Sequence, residues 1–227
     1  MTDIKKRMVA SPLRITLPGT ERVGHDSVTV EVDGVSRVVA FEAVEGASKL
    51  FTPEFSAYLV RLHNQFTQRV HVLRDQRRQI LAAVRAEGVR VLYELLRDIP
   101  MEPGGWRGKD NPIPAELLLP GIEMCGPDDQ AGMVINNGNS AAVGYLIDAE
   151  DASVPWLREK VRGIFNRMGY VRGDLEFDPG GGKPVKRLTG ESRPFLMHRE
   201  PSLHLDSYDV SVDGVRIPSA IVATALT

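Results

Sequence analysis

Residues Gly144–Pro155 read GYLIDAEDASVP. An apolar run, Val143 to Ile147, passes directly into three carboxylates, Asp148, Glu150 and Asp151. Buried parallel strands tend to be apolar throughout rather than alternating. In β/α barrels and open α/β sheets the ligand site lies at the C-terminal ends of such strands. On that reading the run is a buried strand and the acids stand at its ligand end. A second reading makes them the first turn of the helix that follows Trp156, where the helix dipole favours negative charge. Spacing alone leaves both open. Clustered acids repel one another unless a cation or donors share them, so the group suits magnesium binding or the orientation of an arginine.

A candidate arginine stands further along. RPFLMHRE (193–200) reads as another apolar strand, with His198 and Arg199 at its end. A guanidinium there is a planar donor fork suited to a small oxoacid; it would serve equally in a structural ion pair with the acids above. His198 and His204 have no ligand pattern around them and read as ordinary polar residues. DPGGGKP (178–184) lacks the spacing of a phosphate loop and does not run from a strand into a helix, so LEFDPGGGKPVKRL reads as a hairpin over a Gly-rich turn. The apolar run GMVINNG (132–138) is taken with these strands. WLREKVRGIFNRMGY has helical spacing, with Gly169 as its stop, and YDVSVDGVRIPSAIVATAL holds a hairpin signal at Asp213-Gly214 before a last apolar run.

The first half differs. SVTVEVDGVSRVVAFEA alternates around Asp33-Gly34 and predicts a β-hairpin. The period then changes: Phe55, Leu59, Leu62, Phe66, Leu73, Ile80, Leu81 and Val84 predict a long helix with Thr52 as N-cap, Pro53 at its first position and Gly88 as its stop. The arginines from Arg74 to Arg78 read as a solvated helix face rather than a nucleic-acid contact, because the net charge is −2. Residues 98–121 are proline- and glycine-rich and read as a linker. The divisions that follow are 1–97, a hairpin and helical clasp; 98–121, the linker; and 122–227, the β/α part.

Composition narrows the class. The 227 residues are 42% hydrophobic, enough for an ordinary core. The charge balance gives no general attraction to nucleic acid or membranes. The single cysteine, Cys125, forms no intrachain disulfide and reads as structural, which favours a cytoplasmic setting. The N-terminus has no signal-peptide h-region, and no window approaches a membrane span.

Taken in order, these stretches resemble the malate synthase family, in its shorter A-type branch. FTPEFSAYLVRLHNQFTQRVHVLRDQRRQILA is similar to the family's N-terminal helix. IPAELLLPGIEMCGPDDQAGMVINNGNSAAVGYLIDAEDASVPWL follows the family pattern around "MVINALNS" and "ADFEDS". RPFLMHREPSLHLDSYDVSVDGVRIPSAIVATAL resembles "RPRGWHL" and the segment after it. The resemblance covers about residues 50–227. It implies a TIM (β/α) barrel clasped by an N-terminal helical segment, condensing acetyl-CoA with glyoxylate to malate and CoA in the glyoxylate cycle, with Mg2+. By position Arg199 matches the arginine that holds glyoxylate, and Asp148 and Glu150 match the acidic pair of "DFED"; with Asp151 they are the residues expected to position substrate and metal. The chain departs from the pattern at Gly132, where the family has lysine, at Asn137-Gly138, at Pro201 in place of a second arginine, and at Ala223 in place of an aspartate.

A whole barrel takes about 250 residues, and residues 122–227 are fewer than half of that. The expected fold class is therefore α/β, a partial TIM barrel preceded by a hairpin and a long helix. The family's direct metal ligands and its acetyl-deprotonating aspartate come from later sequence, so no direct metal ligand is expected here. Three readings follow: an acyltransferase completed by a C-terminal half chain; a non-catalytic remnant that associates with itself or a partner; and a related CoA-ester lyase.

Overall fold

The computed structural model describes residues 24–88, 113–190 and 193–226. The N-terminal stretch before Gly24 and most of the expected linker, residues 98–112, lie outside the described residues.

Two hairpins make one antiparallel sheet. β1 (His25–Val32) and β2 (Val35–Glu42) turn at Asp33-Gly34, both in the left-handed region that a two-residue hairpin turn requires. β8 (Asp206–Val212) and β9 (Val215–Pro218) turn at Asp213-Gly214 in the same way. The hairpins join through β2 and β8, with Val39 opposite Val212 and Phe41 opposite Val210, in the order β1-β2-β8-β9. Asp213 fastens the join: its carboxylate accepts from the Val38 N–H at 2.8 Å and pairs with Arg37. Val210–Val212 thus pair with Val39–Phe41 from the first hairpin.

A one-turn α1 (Ala47–Leu50) leads into α2 (Pro53–Leu62). Thr52 caps α2, its hydroxyl accepting from the Phe55 N–H at 3.2 Å, and Pro53 occupies the first turn, where no N–H is needed. The long helix runs without a break from Pro53 to Glu87, with one change of winding. A five-residue π-turn, His63–Thr67, lies between α2 and α3 (Gln68–Glu87), which stops at Gly88.

The second sheet is parallel. β3 (Glu123–Gly126), β4 (Gly144–Asp148) and β7 (Phe195–Arg199) lie side by side in chain order. They are linked by α4 (Ala131–Gly138) and α5 (Leu157–Arg172), with a small hairpin of β5 (Glu176–Phe177) and β6 (Lys186–Arg187) before β7. The last element is α6 (Ser219–Leu226). The fold is mixed α/β, and no sheet among the described residues is closed. Among the described residues no helix is long and apolar enough to cross a membrane.

Three local expectations change. GMVINNG is helix α4, not a strand: Val134, Ile135 and Gly138 are buried on one face, and a seven-residue apolar run cannot be assigned by periodicity alone. The strand is EMCG upstream. The last apolar run is likewise helical. α5 continues past Gly169 for one more turn, which buries Tyr170, and ends at the left-handed Gly173.

The core has two parts. Val30, Val39, Phe41, Leu59, Val210, Ile217 and Val222 fill the space between the antiparallel sheet and the helices, with Phe41 and Phe51 stacked at 4.2 Å. Val134, Ile135, Tyr145, Ile147 and Tyr170 fill the space between the parallel sheet and its helices. Helix α5 reaches both, through Leu157 and Val161 at one end and Tyr170 at the other.

Candidate active site

Pairing of β4 with β7 sets Asp148 directly opposite Arg199 at the C-terminal ends of two parallel strands. Along β4, Tyr145 and Ile147 turn into the helix-covered core. By strand alternation Leu146 and Asp148 point to the other face. Asp148 is nonetheless only 2% exposed. Its carboxylate takes a two-pronged contact from Arg199, Nε to Oδ1 at 2.9 Å and Nη2 to Oδ2 at 2.5 Å. The Glu150 and Asp151 N–H groups also donate to Oδ1, at 2.9 and 3.1 Å, as the chain turns away from the strand.

The other two acids complete the group. Asp151 Oδ2 accepts from Arg199 Nη2 at 2.8 Å, and Glu150 Oε2 lies 3.7 Å from Arg199 Nε. Glu150 Oε1 is held by Ser202, which donates both its N–H, at 3.0 Å, and its hydroxyl. All four residues singled out from sequence therefore meet. The hydrogen bonds from Arg199 are the main reason the Asp148 carboxyl is lowered to about 2; the two backbone N–H groups add to them, and burial opposes. The Arg199 guanidinium is raised in turn, chiefly by its hydrogen bond to Asp148. Its Nη1 has no partner among the described residues, and the side chain is 38% exposed. The Cys125 thiol, 3.8 Å from Asp148, is pushed up by desolvation and then by that carboxylate, so it is a poor nucleophile at neutral pH.

Magnesium fits this group badly. Both Asp148 oxygens, one oxygen of Asp151 and one of Glu150 already accept hydrogen bonds. Among the described residues no three His, Cys, Asp or Glu side chains are placed to hold a metal ion.

The histidines lie elsewhere. His204 is exposed. His198 is next to Arg199 on β7, so it points to the opposite face, between Arg167 of α5 (Nη1 to Nε2, 2.6 Å) and Glu200 (3.0 Å). Arg167 also faces buried Asp128, Nε to Oδ2 at 3.5 Å. Burial raises the Asp128 carboxyl, and Arg167 opposes that shift. Asp128 reaches the strand-end turn through Ser153, whose hydroxyl lies 3.1 Å from Asp128 and 3.0 Å from the Asp148 carbonyl. Sequence reading missed Asp128, Arg167, Ser153 and Ser202. The available signal was an acid pair just past a strand, in GPDDQ, which required EMCG to be recognised as that strand.

No protein-family model matches the chain. It is 30% identical over 175 residues to a malate synthase of Myxococcus xanthus (strain DK1622), covering 77% of this chain and 31% of that protein. Similarity to a malate synthase of Oryza sativa subsp. japonica is 29% over 185 residues, 77% and 32% of the two chains. A bifunctional glyoxylate cycle protein of Caenorhabditis elegans is 27% identical over 193 residues, 85% of this chain and 20% of its own. The chain thus spans about a third or less of the length of these curated relatives.

Proposed function

Because the chain is a partial relative of the malate synthases, we propose that its β4 and β7 strand ends form the glyoxylate-holding wall of a malate synthase-like site. On this reading β3, β4 and β7 are the opening strands of a β/α barrel. Acetyl-CoA and glyoxylate are the substrates, and the opposite wall is supplied by further barrel sequence. One observation carries the reading: Arg199, at the motif position, is locked by Asp148 while Nη1 stays unclaimed.

Each residue then has a task. Arg199 donates from Nη1 to glyoxylate and stabilises the charge that develops on its carbonyl oxygen, commonly the dominant source of acceleration in such chemistry. Asp148 fixes the plane of the guanidinium. Asp151 and Glu150 set its position from the solvent side. The magnesium expected for the family finds no site in these side chains, so no step is assigned to it, nor is one assigned to deprotonation of the acetyl group.

Glyoxylate titrated into 15N-labelled protein should shift the Arg199 Nε–H resonance, and Arg199→Lys should weaken binding at least about tenfold by losing the fork. CoA release from acetyl-CoA and glyoxylate is then measured for the chain alone and mixed with the remaining barrel of the Myxococcus relative. No shift and no CoA release from a folded mixture would sink the proposal. A second, non-catalytic reading as an interaction partner is favoured by Arg199 spending two of its three nitrogens on acids, and by Ser202 occupying Glu150. It expects neither the shift nor the release.

A further inference from the structure

Helix α3 is largely solvated, with Val70 its one buried residue. Arg74 departs from that pattern. Its side chain is 20% exposed, and each guanidinium nitrogen is engaged on a segment far along the chain. Nε donates to the Leu203 carbonyl at 2.6 Å, Nη2 to the Leu205 carbonyl at 2.9 Å, and Nη1 to the Asp206 carboxylate at 2.6 Å. Leu203 and Leu205 lie in the connection from Arg199 to β8, and Asp206 is the first residue of β8. Ser219 N–H shares the Leu205 carbonyl at 2.8 Å, so that end of the connection is held from two elements. The other end is held by Ser202 on Glu150.

The geometry points to Arg74 as a positioning residue of the Arg199 site: by clamping Leu203, Leu205 and Asp206 it holds Ser202 on Glu150, and Glu150 beside Arg199. Three acceptors spread over four residues suit a planar fork with five donors; an ammonium matches them poorly. Without the fork, the Leu203 carbonyl and the Asp206 carboxylate lose the guanidinium, the Leu205 carbonyl keeps only the Ser219 N–H, and the stretch between Ser202 and Leu205 is free to lift Ser202 away. Glu150 then exchanges Ser202 for water. The clamp itself is independent of the substrate; only its effect on glyoxylate rests on the function proposed above.

The test compares Arg74→Ala with Arg78→Ala, since among the described residues Arg78 pairs with Asp75 on its own helix. The readouts are the Ser202 amide and Arg199 Nε–H resonances, followed by glyoxylate titration. Arg74→Ala should move both resonances, millimolar guanidinium should return them, and glyoxylate affinity should fall about three- to tenfold. Arg78→Ala should leave all three readouts in place. Unmoved resonances in folded Arg74→Ala overturn the inference. Should that variant fail to fold, Asp206→Asn removes one leg of the clamp and is read by the same resonances: movement supports the clamp, and unmoved signals overturn it. If the unaltered chain binds no glyoxylate, the proposed function fails while the resonances still decide the clamp.

Discussion

Asp148 keeps its charge in a nearly closed setting because Arg199 and two backbone N–H groups face it. Its carboxyl is lowered on folding, from an ordinary value of 3.8 to about 2. A carboxyl lowered on folding stabilises the protein fully above its unfolded value, and the contribution is lost as pH falls through the folded value. Urea unfolding between pH 5 and pH 2 should therefore show a loss on the order of 2 kcal/mol attributable to this group, with Asp148→Asn flattening that part of the curve. An unchanged slope in the variant would refute the assignment. Arg199→Ala leaves Asp148 buried without its main donor and should cost about 1–3 kcal/mol at pH 7, measured by the same unfolding. At this scale the sequence was informative where residues sit at strand ends. Asp148 and Arg199 could be read as ligand-binding or as an ion pair, and the geometry contains the pair with one nitrogen left over. Asp128 and Arg167 were not readable, since their meeting depends on how α5 lies on the sheet.

Gly163 shows what an element needs in order to lie where it does. Helix α5 crosses the Asp128 carboxyl so closely that a Cβ at position 163 would lie 2.2 Å from its Cγ. Asp128 is 2% exposed and tied to Ser153 and Arg167, so it has little room to yield. Gly163→Ala should lower stability by about 1–3 kcal/mol despite its better helix propensity, seen as a lower Tm. An equal or higher Tm would mean that Asp128 moves freely. Elements were readable where local chemistry marks them, as at the two Asp-Gly turns and at Thr52-Pro53. β3 was not, because Glu123 and Cys125 point to its uncovered face and break the apolar run, while α4 supplies the run that a strand was expected to have.

Over the whole molecule the two cores depend on one helix. Leu157 is fully buried in the first core, and Tyr170 closes the second. Leu157→Ala should cost about 2–5 kcal/mol, and amide exchange at Ile135 and Ile147 in the second core should accelerate together with exchange at Val39 in the first. Unchanged protection at Ile135 and Ile147 would show two independent units. The joining of the two hairpins was not legible, because alternation identifies a strand but not its distant partner. That pairing of β2 with β8 has an outcome during synthesis. The opening hairpin leaves the ribosome long before its neighbour is translated, and a lone two-stranded ribbon is marginal in water. Val39 and Phe41 wait for their strand partners Val212 and Val210 until nearly all of this sequence has been made, and before then only α1 and α2, with Phe51 stacked on Phe41, are available to cover the ribbon.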